Sequence, residues 1–298
     1  MDIKRSVFMR KIILKGITGS EKAVFLDGEK NLCMQSGDGE KEVIFPHSGS
    51  EFDVYQNELG KIHIALQDEG GNLFYLLFSE NKWLNFNLLK SKNAGCKFSD
   101  IKLFDINGNV NLFYSLKHGE RYLLIHHKID LQSTKKPNVL DYAENGKYSA
   151  FADGKGNIHI LYKNETGRFM YRIYNVFSGE YSHKPLNIDE ETEAFCGICG
   201  FNAEVYIAYV TRSKTHYSIV FYSVKSGEKK TIGFGTDSVV VPYMYMSSGS
   251  IVVAWKERYS CYSCSTKDFG KTFSKTNFLG SNAINTVIKD CSSNTRYA

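Results

Sequence analysis

The chain has 298 residues, of which 42% are hydrophobic and 23% are charged, a composition typical of a folded globular protein and not of a disordered one. Its 37 basic and 32 acidic residues give a net charge of +5 without a clustered basic run, so the sequence predicts no nucleic-acid-binding surface. No apolar stretch approaches the roughly 20 residues that span a bilayer, and we therefore expect no membrane insertion.

The N-terminal region is expected to form strands and not a leader sequence. Arg10 and Lys11 interrupt its apolar residues, and no small-residue cleavage pattern follows. This predicts a cytoplasmic location, with a surface or secreted location as the alternative. Three strands are expected over residues 23–26, 31–35 and 41–45, and residues 11–15 could form one more.

A short pattern then recurs along the chain, in which a turn residue is followed by an alternating strand. Its anchors are spaced 46 to 48 residues apart and are Gly60, Gly108, Gly156, Ala203 and Gly249. An apolar run precedes each anchor, and further strands follow it. The turns contain Asn-Gly, Asp-Gly and Ser-Gly pairs, which supply the positive φ angles of tight hairpins. Four antiparallel strands in a repeat of this length are typical of a β-propeller blade.

The repeat predicts an all-β fold, with residues 1–298 forming a single β-propeller of six blades, each of four antiparallel strands. Five blades come from the complete repeats. The sixth combines the N-terminal strands with a C-terminal strand over 284–289, which would close the ring and hide its sheet edges. If residues 11–15 are the first strand of that blade, the C-terminal strand lies elsewhere, and a ring of seven blades is the alternative.

One hairpin in the last complete repeat carries a family motif. Ser265-Thr-Lys-Asp-Phe-Gly-Lys-Thr-Phe273 resembles the Asp-box, or BNR repeat, of propellers in the sialidase-like superfamily. The matching residues are Thr266, Asp268, Gly270, Thr272 and Phe273. The resemblance covers one blade and implies a structural role. The carboxylate would accept hydrogen bonds from the turn, the glycine would permit a left-handed backbone, and the aromatic ring would pack on the sheet.

The resemblance does not extend to the sialidase active site. That family's Arg-Ile-Pro motif has no counterpart, because the sequence Arg172-Ile-Tyr lacks the proline and lies mid-chain. We predict no catalytic residue and no cofactor.

Cysteines and histidines inside the strands are predicted to be structural, and we expect no metal site. Cys196 and Cys199 form one of two Cys-x-x-Cys pairs, but residues three apart in a strand point to opposite faces of the sheet. His63 and His159 occupy equivalent positions in two repeats, where other repeats carry Asn, Tyr or Val, which favours a packing role.

Polar residues near the starts of the first strands form the candidate ligand-binding face. They are Asp53, Asp100, Tyr148, Glu193 and Asp237. Ligands of propellers usually bind at the face where the innermost strand starts, so these side chains could converge there. The alternative is that they are solvated loop residues, as most acidic side chains are.

The sequence favours a non-catalytic binding module whose partner is a glycan or a protein. The 19 tyrosines would offer stacking surface and hydroxyl groups to either ligand. The alternative is a glycoside hydrolase or related carbohydrate-active enzyme that uses two carboxylates of the central face. Because propellers host many unrelated activities, the fold does not decide between them.

Overall fold

The computed structural model describes residues 11–15, 20–92, 96–130, 136–188, 191–214, 216–236, 240–257 and 260–280, and the backbone of 286–290. These residues form 24 strands and no helix, which confirms the prediction of an all-β fold. No helix within them could therefore span a membrane. The chain divides into two compact units, one of residues 1–96 and 284–292 and the other of residues 97–283 and 293–298.

The first unit contains a five-stranded sheet and a four-stranded sheet. The five-stranded sheet has the order β24-β1-β2-β3-β4, with β1 (Lys11–Lys15), β2 (Glu21–Leu26), β3 (Leu32–Ser36), β4 (Glu42–Phe45) and β24 (Thr286–Asp290). The four-stranded sheet runs in chain order through β5 (Ser48–Gln56), β6 (Ile62–Asp68), β7 (Leu73–Ser79) and β8 (Lys82–Leu89). The three strands expected over residues 23–45 are present as β2, β3 and β4.

The two ends of the described chain meet in the five-stranded sheet. Strand β24 pairs with β1 in parallel, with Lys11 opposite Thr286 and Lys15 opposite Asp290. From the sequence, residues 11–15 and the C-terminal strand are alternatives for the same strand position in the N-terminal blade. Both strands belong to the same sheet, because β1 pairs with β24 along one edge and with β2 along the other.

A single apolar cluster lies between the two sheets of the first unit. It joins Ile12 and Leu14 of β1 to Val54 of β5 and Ile64 of β6, all fully buried. Residues two apart in a strand share a face, so Ile12 and Leu14 both turn toward the neighbouring sheet. Burial of this area is the main stabilising term of the unit.

The second unit contains a seven-stranded sheet and two four-stranded sheets. The seven-stranded sheet consists of β9 (Phe98–Ile106), β10 (Asn109–His118), β11 (Arg121–Ile129), β12 (Asn138–Ala152), β13 (Asn157–Asn164), β14 (Phe169–Asn175) and β15 (Tyr181–Pro185). The four-stranded sheets consist of β16 (Thr192–Cys199), β17 (Val205–Arg212), β18 (Tyr217–Ser223) and β19 (Lys229–Gly235), and of β20 (Val241–Ser247), β21 (Ser250–Lys256), β22 (Cys261–Thr266) and β23 (Asn277–Gly280).

The seven-stranded sheet is two four-stranded repeats that share β12. The first part of this 15-residue strand pairs with β11, and its second part pairs with β13. The strand changes partner between Tyr142 and Ala143, and a register shift between Ala143 and Tyr148 follows directly. One continuous strand therefore serves as the last strand of one repeat and the first strand of the next.

Apolar layers lie between neighbouring sheets of the second unit. One of them packs Phe151 and Leu161 against Ile207 of β17, and another packs Ile219 against Trp255 of β21. The first Cys-x-x-Cys pair is split between two layers, with Cys196 in the layer that contains Trp255 and Cys199 against the one that contains Ile207. The two thiols therefore face opposite sides of β16, as the strand period predicts.

Several hairpins share one capping pattern. In each, a side-chain oxygen accepts backbone N–H groups two and four residues further along the chain. Asn57 binds Leu59 and Lys61 in this way, and Asp153 binds Lys155 and Asn157. An Asn or Asp at the start of these turns thus satisfies backbone donors that the strand ladder leaves unpaired.

Candidate functional site

The first strand of four repeats breaks its register near its start. In β5 the register shifts between Ser48 and Phe52, and in β9 it shifts at the residues that face Tyr114 of β10. In β12 it shifts between Ala143 and Tyr148, and in β16 between Thr192 and Ala194. Each is a β-bulge, a feature that often re-aims side chains next to functional sites. Two predicted face residues, Asp100 and Glu193, lie inside these bulges, and Asp100 has a positive φ of 53°.

Asp53 and Asp237 are placed differently from that pair. Asp53 lies in the regular part of β5 opposite Ala65 and is only 1% exposed, so it belongs to the interior of the first unit and not to an exposed face. Every residue from Phe52 to Gln56 is buried, so both faces of this part of β5 are covered. Asp237 lies outside the described residues.

Tyr148 brings two of the predicted residues together. Its side chain is buried, and its hydroxyl group donates a hydrogen bond to the backbone carbonyl of Asp100. This bond connects the bulge of β9 to the second half of β12. Tyr148 therefore positions the backbone of the second unit and offers little surface to a ligand.

Glu193 lines a cavity between β12 and β16, which we call the β12–β16 cavity. Its volume is about 300 Å³, and its lining comprises Glu144, Asn145, Lys147, Lys163, Glu191, Thr192, Glu193 and Phe195. The bulge of β12 supplies one wall, because its residues 144–147 leave the strand ladder. The bulge of β16 supplies the opposite wall, so two neighbouring bulges create the recess.

The cavity combines charged groups with an aromatic ring. The Glu144 carboxylate lies 3.8 Å from the Lys163 ammonium, and the Glu193 carboxylate lies 3.8 Å from the Arg212 guanidinium. Both separations exceed a hydrogen-bond length, and both carboxylates are partly exposed, at 42% and 34%. Each can accept hydrogen bonds from a ligand while it keeps its ionic partner.

Phe195 provides the apolar surface of the cavity. Its ring meets the ring of Phe169 edge to face, with 4.8 Å between the centroids. Such a contact fixes the orientation of the ring. Phe195 is the one apolar residue in a lining that is otherwise polar or charged, so the recess is a polar site in which the ring offers a small apolar surface.

Sequence reasoning identified Glu193 but missed the rest of this cavity. Phe195 belongs to an apolar run that the repeat assigns to packing, and its place in the first strand corresponds to Phe52 and Tyr148. Residues 144–147 contain an Asn-Gly pair, a general turn signal. The only distinguishing signal is that this turn pair lies inside a segment that otherwise continues as one strand.

Arg172, the nearest counterpart of a sialidase arginine, belongs to a partly buried hydrogen-bonded cluster. Its Nε donates to the Tyr162 hydroxyl at 2.7 Å, and its Nη2 donates to Asp141 at 3.2 Å. The Tyr162 hydroxyl donates to the same Asp141 oxygen at 2.5 Å. Burial raises the pKa of Tyr162, and the hydrogen bond to Asp141 raises this pKa further. The cluster thus fixes Arg172 within the second unit.

The hairpin that resembles an Asp-box has the local geometry expected of its residues. The Asp268 carboxylate accepts the Thr272 backbone N–H at 2.8 Å, the Thr272 hydroxyl at 2.6 Å and the Thr266 hydroxyl at 2.8 Å. These bonds hold the pKa of Asp268 down, at about 2. Gly270 has a φ of 95°, and the Phe273 ring meets Phe221 at 5.1 Å. None of these residues lines the β12–β16 cavity.

Solved structures share this fold at low sequence identity. No family model and no curated protein matches the sequence. A lectin from Aleuria aurantia, solved with Fucα1-6GlcNAc, has a TM-score of 0.52 at 13% identity, with 92% of this chain and 96% of that one covered. AofleA from Arthrobotrys oligospora has a TM-score of 0.53 at 10% identity, with 92% and 87% covered. A polysaccharide lyase, an ulvan lyase, has a TM-score of 0.60 at 12% identity, with 94% and 84% covered.

These likenesses concern the fold alone. The lectins among the similar structures are β-propellers, so the chain has a β-propeller-like, all-β fold.

Proposed function

We propose that the protein is a six-bladed β-propeller that binds a glycan without transforming it, and that the β12–β16 cavity holds the ligand. The observation that carries this proposal is the combination, in one recess, of the Phe195 ring with the carboxylates of Glu144 and Glu193.

The strand count supports six blades. Each of the two units divides into repeats of four strands once the shared strand β12 is counted twice and β24 is set aside. This gives two repeats in the first unit and four in the second. The pairing of β24 with β1 would then be the contact that closes the ring, because it joins the two chain ends in one sheet.

The chemistry of the cavity suits a sugar. A pyranose presents hydroxyl groups around its rim and C–H groups on its faces. Carboxylates, the Asn145 amide and the lysine ammonium groups can accept from or donate to the hydroxyl groups. The Phe195 ring can cover a C–H face. The fold likeness to lectins and to a polysaccharide lyase is consistent with this ligand class.

A glycan array tests the proposal, with the wild-type protein compared with Glu193→Gln and Phe195→Ala. We expect saturable binding by the wild type and at least a tenfold loss in both variants, since each removes one of the two kinds of contact. Phe234→Ala is the matched control, because that ring is 63% exposed on β19 and does not line the cavity. Glu193→Gln keeps the shape of the side chain, so its folding should be unaffected.

Equal binding by wild type and both variants would place the ligand elsewhere and contradict the proposal. Binding of no glycan by the wild type would contradict it as well and would favour a protein partner.

A carbohydrate-active enzyme is the second candidate. The presence of three glutamates in one cavity favours it, because glycosidic bonds are commonly cleaved by paired carboxylates. Arylglycoside hydrolysis and the absorbance of unsaturated uronates would detect hydrolase and lyase turnover. If the wild type shows turnover and Glu193→Gln does not, the protein is an enzyme and the proposal of a non-catalytic binding module is wrong.

A further inference from the structure

A second cavity lies on the other side of the hairpin turn between β13 and β14, and we call it the turn cavity. Its volume is about 420 Å³. The turn supplies Thr166, Gly167 and Arg168, Phe169 begins β14, and the segment 185–188 that ends β15 supplies the remaining wall.

The two cavities are lined by residues that neighbour one another. Lys163 of the β12–β16 cavity is the cross-strand partner of Phe169 in the turn cavity. The rings of Phe169 and Phe195, one from each cavity, meet at 4.8 Å. The cavities therefore lie side by side along the β13–β14 hairpin, with an aromatic pair between them.

The turn that carries Arg168 is rigid. The Asn164 side-chain oxygen accepts the backbone N–H groups of Thr166 and Arg168 and the Thr166 hydroxyl. Gly167 has a φ of 76°, a conformation that suits glycine. The backbone position of Arg168 is thus fixed, whereas its side chain is exposed at the edge of the turn cavity.

The lining of the turn cavity has the same two kinds of groups as its neighbour. The exposed Asn187 amide and Arg168 guanidinium provide donors, and the buried side chains of Phe169, Leu186 and Ile188 form the apolar floor beneath them. A guanidinium presents five N–H donors in a planar fork, which suits adjacent hydroxyl groups. Each cavity alone is near the small end of the range of about 300–1,000 Å³ that ligand sites occupy.

We infer that the two cavities are neighbouring subsites of one groove and that the ligand is an oligosaccharide of at least two units. One unit contacts Phe195 and Glu193, and the next contacts Arg168 and Asn187 across the aromatic pair. This inference rests on the proposed glycan binding and adds the ligand's length and a second set of contacts.

The experiment measures binding to nested oligosaccharide series of one to six units, with cello-, xylo-, manno- and chito-oligosaccharides as probes. We expect the wild type to bind at least one series, with affinity that rises about tenfold or more from one unit to two or three. Arg168→Ala and Asn187→Ala should each remove most of this rise and leave binding of the single unit within about twofold of wild type. Lys225→Ala, an exposed cation that lines neither cavity, is the control.

The outcomes separate the two proposals. Binding that Glu193→Gln abolishes but that does not rise with chain length would overturn the second subsite and leave the glycan site standing. A rise that survives in both Arg168→Ala and Asn187→Ala would place the additional unit elsewhere and would also overturn it. No binding to any series or to any other glycan would overturn both proposals.

Discussion

The sheet β5–β8 and the repeat β12–β15 are built on the same internal frame but differ in the groups attached to it. In both, a histidine of the second strand is buried and bonds to a tyrosine of the third. His63 and the Tyr75 hydroxyl are 2.7 Å apart, and His159 and the Tyr171 hydroxyl are also 2.7 Å apart. The frame of the repeat therefore includes one polar pair in addition to its apolar pattern.

The two regions differ first in their interior. Leu66 and Leu76 of the first region occupy the positions of Tyr162 and Arg172 in the second. The first region fills this space with apolar side chains, and the second fills it with a hydrogen-bonded cluster that also binds Asp141. The same backbone can thus be packed with apolar side chains or with a hydrogen-bonded cluster, provided that the buried polar groups have partners.

They differ also at the turn that faces the histidine. The Asn57 amide lies 3.5 Å from Nε2 of His63, whereas the Asp153 carboxylate lies 3.4 Å from Nε2 of His159. The two turns use the same capping bonds, so the capping residues Asn57 and Asp153 differ only in the charge of their side chains. Burial opposes ionisation of Asp153, but hydrogen bonds from His159, Asn157 and Lys155 outweigh it and hold its pKa well below the ordinary value.

The two regions differ also in the bulge of the first strand. Residues of the β12 bulge line the β12–β16 cavity, whereas residues of the β5 bulge line neither of the two cavities described above. The repeats keep their frame and vary at this point, which is where the proposed site is found.

Arg172→Ala should produce the largest change in the free energy of unfolding, because it removes the central cation of the hydrogen-bonded cluster in the second region. The Asp141 carboxylate and the Tyr162 hydroxyl would lose their cationic partner. Both ends of the ion pair are partly exposed, so we expect the free energy of unfolding to fall by about 2–3 kcal/mol, less than for a fully buried pair. Urea denaturation measures this change. Arg172→Lys should recover less than half of the loss, since lysine lacks the planar fork. A loss below about 0.5 kcal/mol would mean that the cluster behaves as a surface ion pair.

Tyr75→Phe and Tyr171→Phe form a matched pair that tests the shared frame. Each removes a hydroxyl group and leaves a buried histidine nitrogen without that partner. We expect each variant to lose about 1–2 kcal/mol, and the two losses should agree to within about 0.5 kcal/mol. Denaturation of the two single variants under identical conditions measures both values. Clearly unequal losses would show that the two regions do not share this element of the frame.

Asp153→Asn should have the smallest effect on the free energy of unfolding, because it gives this turn the same capping residue as the Asn57 turn of the first region. We expect a loss of about 1 kcal/mol at pH 7, where the wild-type carboxylate is ionised. The folded-state pKa of Asp153 is depressed, so its contribution is present above the unfolded value near 3.8 and declines as the pH falls below about 4. Stability curves of both proteins against pH should therefore converge on the acid side. A difference that stays constant down to pH 3 would contradict the role assigned to the charge.

The sequence allowed the strands to be predicted closely because the repeat imposes one pattern several times. The runs before the anchors became the first strands, and the segments over 23–26, 31–35 and 41–45 became β2, β3 and β4. Two features could not be predicted. The continuity of β12 depends on pairing with two different neighbours. The sequence predicted that the C-terminal strand would join the N-terminal strands in one sheet, but not that it would do so beside β1.

The candidate site was only partly predictable for a similar reason. Glu193 was identified because it precedes an apolar run, but Asp53 precedes or joins such a run as well and is buried. Whether an acidic residue faces a cavity depends on the bulge beside it, and a bulge results from the pairing of two strands. Phe195 could not be distinguished from a core aromatic, because its exposure depends on the recess that the β12 bulge opens.

Hydrogen–deuterium exchange with and without the best array glycan tests the central claim most directly. We expect slower exchange over residues 144–148, 163–169 and 191–195, and unchanged exchange over the corresponding segments 48–53 and 67–73 of the first region. Protection confined to other segments, or equal protection of both regions, would contradict the claim that the bulges of β12 and β16 form the ligand site.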